Sequence, residues 1–78
     1  MDIIKVHVVR TNNGYCATLT IPNSVVESSG LKDRGGMIYA TSLNDVKNKA
    51  EIAVKGLKEF IITMTYEWAV VHWHYNLD

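Results

Sequence analysis

The chain has 78 residues, eight basic against eight acidic, with three histidines, one cysteine and one proline. At the usual ~100 to 200 residues per domain this is room for one compact domain over 1–78, which excludes a multidomain enzyme. The zero net charge argues against a phosphate-tracking surface, and 47% apolar with 21% charged residues excludes a disordered chain. A chain this short lies near the lower limit of independent stability, so self-association would help it. A single cysteine offers no internal disulfide, and no cysteine or histidine array has the spacing of a structural zinc site.

In chain order, the first predicted strand is Ile3 to Arg10, with Ile4, Val6 and Val8 on one face and Lys5 and His7 on the other. Thr11-Asn12-Asn13-Gly14 carries turn chemistry and predicts a hairpin. The return strand sets Tyr15, Ala17, Leu19 and Ile21 against Cys16, Thr18 and Thr20 before Pro22 ends it. Asn23 to Gly35 reads as a largely solvated insert whose Val25 and Val26 can pack locally. A third short strand follows at Met37 to Thr41.

Ser42, with Asp45 three residues on, marks a helix start. Leu43, Val46, Ala50, Ala53, Val54, Leu57, Phe60 and Ile61 then recur at intervals of three and four, which predicts an amphipathic helix to about Ile61. Gly56 would sit in its interior at a cost of about 1 kcal/mol relative to alanine. Thr63 to Tyr75 reads as one final strand, apolar on both faces. One helix is too little to cover both, so Trp68, Val71, Trp73 and Tyr75 are expected to form an oligomer interface. The expected class is α+β in the order β-β-β-α-β: a three-stranded antiparallel sheet, a helix across it and a C-terminal strand.

Candidate chemistry is sparse. His72 and His74 project from one face of a strand and could share a metal with His7 as a third ligand, but the stronger reading is histidines at a wet sheet edge or in a dimer seam, with no metal site. Cys16 has no cationic neighbour or helix N-terminus to activate it and reads as a plain thiol. Gly35-Gly36 lacks the remainder of a phosphate loop, and no serine sits in a nucleophile elbow. The expectation is a non-catalytic protein without a cofactor. No leader or apolar span is visible, so the expected setting is cytoplasmic, without a membrane.

Asn13-Gly14-Tyr15-Cys16-Ala17, continuing to Pro22, is similar to the hairpin of HicB-like antitoxin domains, and Gly35 to Val46 resembles the strand-to-helix passage of that family. The resemblance covers residues 3 to 62. It departs in a longer loop after Pro22, in Ala40 where glycine is usual and in Val46 where alanine is usual. It implies an interaction module that binds and neutralises a small ribonuclease toxin and oligomerises through its C-terminal strand. No DNA-binding segment follows the domain, which argues against direct operator binding. The alternatives are a stand-alone RNA-binding module and a small metal-binding protein using His72 and His74.

Overall fold

A computed structural model describes residues 2–29 and 35–76. The strands are β1 (Asp2–Thr11), β2 (Gly14–Thr20), β3 (Gly35–Ala40), β4 (Glu59–Tyr66) and β5 (Ala69–Asn76), and the helices are α1 (Asn23–Ser29) and α2 (Leu43–Ala53). They form an α+β fold with one five-stranded mixed sheet in the order β3-β2-β1-β4-β5. β2 runs antiparallel to both β1 and β3, β4 lies parallel to β1, and β5 returns antiparallel to β4.

The alternation in the first two strands becomes the core. Ile4, Val6 and Val8 of β1 and Ala17 and Leu19 of β2 are buried on the side that faces the helices, joined by Ile38 of β3 and by Phe60, Ile62 and Met64 of β4. The β1–β2 turn is tight for a reason outside itself. Gly14 has φ +143°, and a β-carbon there would collide with the carbonyl oxygen of Ala40 at the end of β3. α2 lies over β2 and β3 and buries Val46 and Ala50. Ser42 caps it as predicted: its Oγ accepts from the Asp45 backbone N–H at 3.2 Å, while Asp45 Oδ2 accepts from the Thr41 hydroxyl at 3.4 Å.

Three expectations change. The insert after Pro22 contains a helix, α1, whose Val25 and Val26 amides donate to the Pro22 carbonyl and whose two valine side chains join the core. The remainder of that insert, 30–34, lies outside the described residues. The amphipathic helix stops at Ala53 rather than near Ile61. Gly56 takes φ +113° just beyond the helix end and turns the chain, so it bears no helix-interior cost. Val54 and Leu57 stay buried in the connection, and from Phe60 the burial period changes from three or four to two. The stretch Phe60-Ile61-Ile62-Thr63 is β-branched after its first residue, which favours a strand over a further helical turn.

The third change concerns Thr63 to Tyr75, which is not one strand. Tyr66 pairs with Ala69 across the two-residue turn Glu67-Trp68, and Glu67 takes φ 53°. Hairpins of this length favour a positive φ at the first loop position because it matches the twist of the strands. The extra strand lets the chain cover part of its own apolar surplus. Trp73 and Tyr75 face the helix side and pack half-buried against the core, instead of both faces of a lone strand waiting for a second molecule. Among the described residues no helix is long and apolar enough to cross a membrane.

Candidate interaction surface

Both helices pack their apolar residues into a single core, on the side of the sheet where Ile4, Ile62 and Ile38 point. The other side has the opposite parity and carries Ile3, Lys5, His7 and Val9 of β1, Thr18 and Thr20 of β2, Met37 and Tyr39 of β3, and Val70, His72 and His74 of β5. The register lays Met37, Thr18, His7, Thr65 and Val70 in one row and Thr20, Lys5, Thr63 and His72 in the next. The middle of this face is therefore polar, and its margins are apolar. Val9, Met37 and Val70 are each more than half exposed, and Tyr39 is 67% exposed.

The histidines lie on this face but do not converge. His72 Nδ1 is 3.0 Å from the hydroxyl of Thr63, its cross-strand partner, and His74 Nε2 is 3.4 Å from Oε1 of Glu59, a diagonal neighbour in β4. His7 sits on β1 with β4 between it and β5. Among the described residues no three histidine, cysteine, aspartate or glutamate side chains are placed to share a metal ion. Cys16 is a half-buried free thiol on β2.

The four expected interface residues separate into two groups. Trp73 lies under the Lys47 ammonium, 5.4 Å from its ring centroid, and Tyr75 stacks on Phe60 with centroids 4.7 Å apart. The Tyr75 hydroxyl also donates to Glu51 Oε1, and Lys47 lies 3.3 Å from the same oxygen. Burial, then the Glu51 carboxylate, pushes the Tyr75 phenol well above its ordinary value, and the Tyr75 hydrogen bond, with help from Lys47, holds Glu51 below its own. Trp73 and Tyr75 thus fasten β5 to α2. Val71 is 40% exposed on the same side, and Trp68 at the hairpin tip is fully exposed.

Among the described residues, clefts lie at both ends of α2. One, of about 310 Å³, lies between the β1–β2 turn and the start of the helix, and its charged groups are spent locally: Lys49 Nζ donates to the Tyr39 carbonyl at 2.5 Å, and Asp45 serves the cap. The other, of about 230 Å³, follows the end of the helix and is walled by Val54, Leu57, Phe60 and Tyr75 with Glu51 and Lys55 at its rim. The helical reading of residues 54–61 hid this second cleft, because it placed Leu57 and Phe60 on a continuous helix face. The exposed apolar margin was more accessible: Ile3 and Val9 share the parity of Lys5 and His7, the pattern's own sign of an apolar residue on the wrong face.

Comparison of the chain with family models, with curated proteins and with solved structures found no match.

Proposed function

We propose that this chain is a non-catalytic protein-interaction module of the HicB-like antitoxin kind, which covers a small ribonuclease toxin with its helix-free sheet face and self-associates through β5. The observation that carries this reading is the one-sided sheet: Val9, Met37, Tyr39 and Val70 stand exposed around a polar centre where a second layer of structure would normally lie. The order of three antiparallel strands, a capped helix and a strand laid parallel beside the first accords with the architecture that the resemblance implies. The β5 hairpin strand lies beyond the resemblance and adds an uncharged edge suited to a second copy.

The test is inhibition of a ribonuclease encoded by a genomic neighbour. A short adjacent reading frame is expected to encode a basic protein that degrades RNA, and an equimolar amount of this chain is expected to bring that activity to background. Variants Val9→Glu and Tyr39→Glu, both on the exposed margin, should release the inhibition while leaving the fold intact. Absence of inhibition, or salt-dependent binding of RNA by this chain alone, contradicts the proposal and favours a nucleic-acid-binding module.

A further inference from the structure

β5 is an edge strand without the usual defences. Its eight residues pair one-to-one with β4 without a bulge, and the sequence Ala69-Val70-Val71-His72-Trp73-His74-Tyr75-Asn76 contains no lysine, arginine, acidic residue or proline. Natural edges are ordinarily blunted by such features. The two ends of this strand also differ in a complementary way. At one end the tip Glu67-Trp68 presents a fully exposed indole beside a carboxylate. At the other, Tyr75 forms a wall of the 230 Å³ apolar cleft that Lys55 borders.

Pairing two copies of β5 about a two-fold axis perpendicular to the sheet constrains the register. Directly opposed residues in an antiparallel pair point to the same face, so their numbers must share parity. Full overlap would set Ala69 against Asn76, which breaks that rule. The nearest permitted registers are centred on His72 or on Trp73, and either one brings the hairpin tip of each copy to the Asn76 end of the other. That end holds the cleft.

We propose, resting on the reading of β5 as a self-association edge, that two copies of this chain pair through β5 and that each Trp68 seats in the partner's cleft formed by Val54, Leu57, Phe60 and Tyr75, with Glu67 set against Lys55 at its rim. The occupant fits on three grounds. A 230 Å³ apolar slot has room for an indole ring, tryptophan is among the residues that most often anchor protein interfaces, and the charges beside knob and slot are opposite. The arrangement is isologous, so it closes as a dimer with both sites filled. It also gives the positive φ of Glu67 a use, since that conformation sets the geometry of the tip.

Sedimentation of the full chain over a range of concentrations tests this, with circular dichroism to verify folding. Trp68→Ala, at a fully exposed position, should weaken dimerisation at least about tenfold. Lys55→Glu should weaken it too, and adding Glu67→Lys to Lys55→Glu should restore it. In a Trp73→Phe background the emission of Trp68 should shift to the blue as dimer forms. His72→Lys, which sets two lysines directly opposite each other in the His72-centred register and diagonally across the two-fold axis in the Trp73-centred one, should also break the dimer. If His72→Lys breaks the dimer and Trp68→Ala leaves it intact, the knob-in-cleft contact is wrong while the edge pairing stands. A wild-type chain that remains monomeric overturns both.

Discussion

The two faces of the sheet are made by the same strands and differ in almost everything else. On the helix side every β1 position from Ile4 to Val8 is buried, whereas one residue away on the same strand Ile3 and Val9 are about half exposed. Burial is thus concentrated on one face, while Ile3, Val9, Met37, Tyr39 and Val70 stay exposed on the other. Among the described residues sixteen buried apolar side chains form the core that holds so short a chain, and the exposed margin contributes little to it.

Substitutions on opposite faces break this comparison most directly. Ile62→Ala, at a fully buried position, should cost about 2–5 kcal/mol in urea unfolding at fixed protein concentration. Val9→Thr on the exposed face should stay within about 0.5 kcal/mol of wild type. Equal losses at the two sites would mean that both faces are covered in the isolated chain. Ser42→Ala comes next, with an expected loss of about 1 kcal/mol through the freed Asp45 amide.

The smallest effect distinguishes the fastened side of β5 from its open side by pH. Glu51 has a lowered pKa, so the stability it confers is present above its unfolded value of roughly 4.3 and is lost as pH falls through the lower folded value. Tyr75 has a raised pKa, so its contribution is full below about 10 and is lost as pH rises beyond that. The thermal midpoint of the wild type should therefore exceed that of Tyr75→Phe near neutral pH, with the gap narrowing below about pH 4 and above about pH 10. A pH-independent gap would mean that the Tyr75–Glu51 bond contributes nothing.

How far the fold could be read from the sequence followed the length scale of each signal. Alternation at Ile4, Val6 and Val8, the Ser42 cap and the return strand from Tyr15 are local patterns, and each emerged in place. The helix was read too long because Val54, Leu57, Phe60 and Ile61 continue a three-to-four spacing by coincidence, while Gly56 reverses the chain between them. The break at Glu67-Trp68 left no composition signal, since a glutamate in a positive-φ turn position is rare. The interaction surface was legible in part. Trp68 was visible as an apolar residue without a place, but that Trp73 and Tyr75 would be fastened under Lys47 and Glu51 depended on where α2 crosses the sheet.

The claim that joins these observations is that a second copy completes the β5 edge. Amide hydrogen exchange along β5, measured at high concentration and again after dilution, tests it most directly. The outward-facing amides of Ala69 to Asn76 should be protected in the concentrated sample and lose that protection on dilution, while β1 and β4 remain protected in both. Outward β5 amides that exchange freely at every concentration would contradict it.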